Sequence, residues 1–185
     1  MTEIQTRHIE LAGLETREDD DGFRHLVGVV VPWHGTYTMP NGTTESFART
    51  AFDKSVQERG DRIALYQQHA TTDTLPVGNA VEWSNTADGL VADFRMARTA
   101  RADEVISLAE DGMVSGLSVG FRPIRNRSET RNDRPHVVRL EAALDHVGFV
   151  ATPAYDDARV LSVRAFDPDD VNHAPRLARW RHLLA

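Results

Sequence analysis

Ser118 lies in the stretch Ser-Gly-Leu-Ser-Val-Gly-Phe, residues 115–121, with a glycine two places to either side. A serine hydroxyl becomes a nucleophile at neutral pH when a nearby base takes its proton. Eight histidines are present to supply one. His69 closes an apolar run, 62–68, and precedes a polar turn, 70–74. His146 lies inside the apolar run 144–151, on the same strand face as Gly148. An imidazole buried there must be hydrogen-bonded or it costs stability. Its plain reading is structural. The alternative is a catalytic histidine.

Residues 116–120 also fit G-x-S-x-G, the pattern of a nucleophile elbow on a strand–turn–helix. The surroundings exclude that geometry. The helical pattern comes before the serine, and Val-Gly-Phe-Arg-Pro after it reads as strand. The chain shows hairpins instead of the strand–helix alternation that a parallel sheet requires. Alternation along a strand places Gly116, Ser118 and Gly120 on one face and Leu117, Val119 and Phe121 on the other, the core face. Glycines in a strand often mark close approach by a ligand or a second backbone. Gly116 and Gly120 are therefore read as substrate-binding clearance for an extended peptide. The bland alternative is a pair of bulge glycines beside a turn-side serine.

No metal or cofactor is expected. Cysteine is absent, which removes disulfides, cysteine-ligated zinc and a cysteine nucleophile together. No H-E-x-x-H occurs to support a zinc hydrolase.

The elements that must position these side chains are short and mostly extended. Strands are expected at 25–33, 62–68, 77–83, 89–97, 114–124, 136–142 and 144–151, with a last short one at 160–163. Helices are expected at 50–59, capped by Thr50 and stopped by Gly60, and at 101–111, ending at Gly112. Residues 35–44 read as a turn cluster and 125–135 as a charged loop. The fold class is thus mainly β with inserted helices (α+β), and an antiparallel β-barrel is the natural closure. Residues 1–22 form a polar lead-in, 23–165 one domain, and 166–185 a basic tail with Leu177, Trp180 and Leu184 on one helical face.

The chain has 185 residues, 41% hydrophobic and 26% charged, with a formal net charge of -7. That suits one domain with a real core and argues against a nucleic-acid partner. No apolar run approaches a membrane span, and the N-terminal residues lack the apolar centre of a signal peptide, so no membrane association and no secretion are expected.

Five stretches in order resemble the HK97-type prohead maturation proteases of tailed bacteriophages, relatives of the herpesvirus assembly proteases. They are GVVVPW (28–33), ESFARTAFDKSV (45–56), IALYQQHATTDTLPVGNAVEW (63–83), GLVADFRMARTARADEVISLAEDGMVSGLSVGF (89–121) and LDHVGFVATPAYDDA (144–158). The resemblance implies a β-barrel of the herpesvirus-protease and prohead-protease type. It also implies a serine endopeptidase with Ser118 as nucleophile, His69 as base and His146 in the third position. Phage members commonly have an acid there, so His146 is closer to the Ser-His-His arrangement of the herpesvirus relatives. Asp145 is adjacent, but strict alternation turns it to the opposite side of the strand.

The implied setting is the assembling prohead in the host cytoplasm. The implied substrates are major capsid protein and its scaffold segments, and the protease itself, with the tail as a docking or self-cleavage segment. A homo-oligomer, such as a dimer, is also implied. The oxyanion hole is expected from backbone N–H groups, with Arg159 and Arg164 as side-chain candidates. The alternative is a catalytically weak or inactive assembly module that keeps the fold and binds scaffold.

Overall fold

A single long strand, β8 (Arg134–Val150), organises the molecule, because two strands distant in sequence share one of its edges and its own hairpin partner takes the other. The structure is a computed structural model that describes residues 23–69 and 74–165. The lead-in and the tail expected at 1–22 and 166–185 lie outside the described residues.

In chain order the elements are β1 (Arg24–Pro32), β2 (Tyr37–Thr38), β3 (Thr44–Phe47), α1 (Asp53–Arg59), β4 (Ala64–Gln67), β5 (Pro76–Asn85), β6 (Gly89–Met96), α2 (Ala100–Glu110), β7 (Gly116–Arg131), β8, and β9 (Val160–Ala165). The strands form one sheet ordered β2-β3-β8-β4-β5-β6-β1-β9, with β7 on the other edge of β8. The mainly-β fold with two helices is as expected. The sheet is mixed, since β3 and β4 both run parallel to β8. It is not closed by continuous ladders. An isolated bridge, Gly116 to Arg159, links the start of β7 to the segment entering β9. The hydrogen bonds Leu117 N–H to Ala158 O (2.9 Å) and Val160 N–H to Ser115 O (2.8 Å) reinforce that link.

One edge of β8 is shared end to end. β3 bonds residues 136–139 and β4 bonds residues 146–149. Between them α1 takes over. Ala142 N–H donates to Ala51 O at 2.8 Å. The Ser55 hydroxyl accepts from Leu144 N–H at 3.0 Å and donates to Ala142 O at 3.2 Å. A buried strand edge with unpaired N–H and C=O groups would be costly, and the Ser55 side chain satisfies the stretch that neither strand reaches.

The interior is packed by inward residues of every long strand, among them Leu26, Leu65, Phe94, Leu117, Leu144, Val147 and Phe149, all nearly inaccessible. Ala102, Val105 and Ile106 of α2 join the same cluster. Thr99 caps α2 by accepting from Ala102 N–H, and Gly112 follows it at φ +66°.

Three local expectations change. The charged loop at 125–135 is a β-ribbon: β7 runs to Arg131, β8 begins at Arg134, and 136–142 and 144–151 belong to one strand. Asn132 and Asp133 both have positive φ, +50° and +57°, as a two-residue hairpin turn of matching twist requires. The arginine-rich strand before it lies on an exposed edge, where charge replaces the apolar alternation that reveals a strand in sequence. Thr50 does not cap α1, which starts at Asp53 with no side-chain cap. Finally, 37–47 contains β2 and β3, not turn alone. No helix among the described residues is long and apolar enough to cross a membrane.

Candidate active site

β4, β8 and β7 lie side by side and present two cross-strand rows on the face opposite the core. The first row is Tyr66, Gly148 and Ser118; the second is Ala64, His146 and Gly120. Directly opposed residues share a face, so Ser118 and His146 occupy the same outer surface. Leu117 fills the core on the reverse side.

His69 reaches this surface by a backbone reversal. Gln68 adopts φ +66°, and its N–H donates to Phe149 O at 2.9 Å, so the chain turns at the end of β4 while still anchored to β8. His69 Nδ1 then lies 3.1 Å from His146 Nε2, with the rings edge to face. The turn is possible because residue 148 is glycine. A β-carbon there would sit 2.7 Å from Gln68 O and 3.4 Å from His69 Nδ1.

The His146 ring is held from three directions. It rests on Gly120, where a β-carbon would fall 2.1–2.6 Å from three ring atoms. The Tyr66 ring meets its edge with centroids 5.6 Å apart. His69 bonds its Nε2. Burial lowers the pKa of both histidines. For His146 the neighbouring His69 adds to the lowering and Asp145 opposes it. Burial thus favours the neutral form of both rings.

Neutral rings fix a chemical polarity. With Nδ1 of His69 directed at His146, Nε2 of His69 remains to accept a proton from a serine, the same division of nitrogens a Ser-His-third-member array uses. The structure bonds His69 to His146 and sets Ser118, 8% exposed, in the adjacent row. Among the described residues no hydrogen bond joins Ser118 Oγ to either ring. Such bonds are commonly long in unliganded sites and shorten with substrate.

The two glycines flanking Ser118 are not open clearance for a peptide. The His146 ring occupies the space at Gly120. Val150 O and Pro153 occupy the space at Gly116, at 2.4 and 2.8 Å from a β-carbon position. The gaps admit parts of this chain, because β7 must lie close to both.

Asp145 also departs from expectation. Gly120 pairs with His146 and Phe121 with Leu144, so β8 carries an extra residue at this point. Leu144 and Val147 are both fully buried, and Asp145 and His146 between them are both partly exposed. The bulge turns Asp145 outward, where Arg122 grips both carboxylate oxygens at 3.0–3.3 Å. Alternation alone cannot reveal a bulge. Tyr66 and Gly148 escaped the sequence reading of the site because their places depend on which strands become neighbours.

Arg159, one of the two candidate oxyanion arginines, bridges Gly116, two residues before Ser118. The Arg159 guanidinium pairs with Asp157 at 3.3 Å, and Arg164 stands opposite His25 across β1 and β9. Two other histidines have structural partners: His25 Nδ1 lies 2.7 Å from Asp93, and His136 sits between the Thr44 and Ser46 hydroxyls at 2.8 and 2.9 Å. Among the described residues no group of three or more histidine, cysteine or acidic side chains could hold a metal ion.

Comparison with known proteins gives one family match: the family model described as caudovirus prohead serine protease matches residues 12–173. No curated protein matches. Among solved structures, the chain is similar to KSHV protease in complex with a hexapeptide phosphonate inhibitor. The TM-score is 0.46 and the identity 13%, covering 88% of this chain and 76% of that one.

Proposed function

The chain belongs to the caudovirus prohead serine protease family, and on that premise we propose that it is a serine endopeptidase whose nucleophile is Ser118. The family makes it a protease of capsid maturation. The finer reading is that it cleaves scaffold segments from capsid protein inside the assembling prohead, and also cleaves itself.

The observation that carries this reading is the 3.1 Å contact between His69 Nδ1 and His146 Nε2, one strand row from Ser118. In the proposed mechanism Ser118 Oγ attacks the peptide carbonyl and its proton passes to His69 Nε2. His69 then protonates the leaving amine, and water repeats the sequence to release the acyl group. His146 accepts the Nδ1–H of His69, which keeps that ring in the tautomer with a free Nε2. A neutral imidazole stabilises the transient imidazolium less than a carboxylate would. The reading therefore gives a modest enzyme that relies on the high local concentration of an assembling shell.

The test is Ser118→Ala, coexpressed with the capsid protein. Loss of both capsid and self-cleavage is expected, with shells still assembling. Cleavage that survives the change removes Ser118 as nucleophile. Scaffold binding without any cleavage by the unmutated chain would favour the inactive assembly module.

A further inference from the structure

We propose that Asp145 and Arg122 are positioning residues for the histidine pair, a carboxylate beside His146 and the guanidinium that holds and offsets it. The inference rests on the roles given above to Ser118, His69 and His146, and it adds two residues that neither a serine-histidine pattern nor strict strand alternation would find.

The bulge in β8 supplies the geometry. Were β8 regular, Asp145 would point into the core, where Leu144 and Val147 now pack. The extra residue brings it to the outer surface next to His146, with its side chain 34% exposed. Arg122 of β7 approaches from the solvent side, 70% exposed, and bonds through Nε and one terminal nitrogen. A fork of this kind fixes the carboxylate in place, unlike a single contact. The pair in turn raises the pKa of Arg122. Among the described residues, the titratable or charged groups around His146 are His69 after β4, Tyr66 on β4, and this pair on β8 and β7. Its direct row neighbours, Ala64 and Gly120, carry no charge.

When the Ser118 proton reaches His69, positive charge appears on that ring and is shared through the bond to His146. A carboxylate beside His146 stabilises this charge. The Arg122 cation cancels much of the effect. With both present the ion pair is nearly silent, and removing either member leaves the other acting alone on the histidines.

The test follows Ser118 modification by a fluorescent fluorophosphonate from about pH 5 to about pH 9. In that reaction an Oγ–P bond forms, the P–F bond breaks, fluoride leaves and the hydroxyl proton passes to His69. Arg122→Gln should raise the midpoint of the pH profile by roughly half a unit, and Asp145→Asn should lower it by a similar amount. The double variant should return close to the unmutated midpoint, and added salt should shrink both shifts. Asp145→Glu, which keeps the charge, should keep the midpoint and serves as the folding control. Shifts of the same sign, or no shift in either single variant, overturn the inference while the Ser118 reading stands. Labelling that persists in Ser118→Ala overturns the reading beneath it instead.

Discussion

Gly120→Ala tests how tightly His146 must be held. The added methyl would lie 2.1 Å from His146 Cε1 and 2.5 Å from Nε2, where ordinary contact begins at 3.4 Å. The ring must retreat by more than about 1 Å, since the β7 backbone cannot move without disturbing its ladder to β8. Nε2 is the atom that meets His69 at 3.1 Å, so such a retreat takes the contact outside hydrogen-bond range. Misplacement by about 1 Å in a catalytic array costs on the order of 10²-fold in rate. The stability cost of overpacking is about 1 kcal/mol at this outer face, where the ring can swing toward solvent, a few degrees in Tm. Fluorophosphonate labelling and a thermal melt read the two effects separately. Gly120→Ala should label about 10²-fold more slowly, and His146→Gly comparably. The double variant should be no worse than His146→Gly, because the methyl then meets no ring. Unmutated labelling by a normally folded Gly120→Ala protein would refute the claim that a fixed His146 supports His69.

Other outcomes follow from the same contacts. Labelling should rise with pH through a midpoint below 6.5, because burial lowers the His69 pKa and the neutral base persists into more acidic solution; a midpoint above 6.5 contradicts this. Ser55→Ala should lower stability by about 1–3 kcal/mol, seen as a lower urea midpoint at constant slope, because Ala142 C=O and Leu144 N–H both lose their partner. Glu45→Gln should cost about 3 kcal/mol in the same assay, because it leaves the half-buried Arg139 guanidinium without its carboxylate at 2.5 Å. Tyr155→Phe, which removes only the hydroxyl bonded to Glu45, should cost about 1 kcal/mol.

The sequence was most informative where periodicity and chemistry agreed. The face shared by Gly116, Ser118 and Gly120 followed from alternation alone, as did the core position of Leu117. Gly112 ends α2 by a local rule that needs no tertiary information, whereas the cap at Thr99 emerges only in the structure. What stayed hidden depends on long-range pairing. Asp145 was assigned to the wrong side because one extra residue in β8 resets alternation, and nothing local announces it. The ribbon of β7 and β8 was hidden by arginines, since an edge strand in water needs no apolar face. The glycines beside Ser118 are legible as gaps, but what fills them, the His146 ring and Pro153, depends on the register of β7 against β8.

The central place of β8 also sets a clock. Ser118 and His69 are made first, yet they lie on strands that never touch; β8 separates them and supplies both His146 and Gly148. On the proposed roles, a growing chain carries the nucleophile and the base before the strand that joins them, and that strand's pairings with β3 and β4 are long-range. Strand order alone keeps the two groups apart until β8 is made. The candidate site is assembled only with the folding of β8.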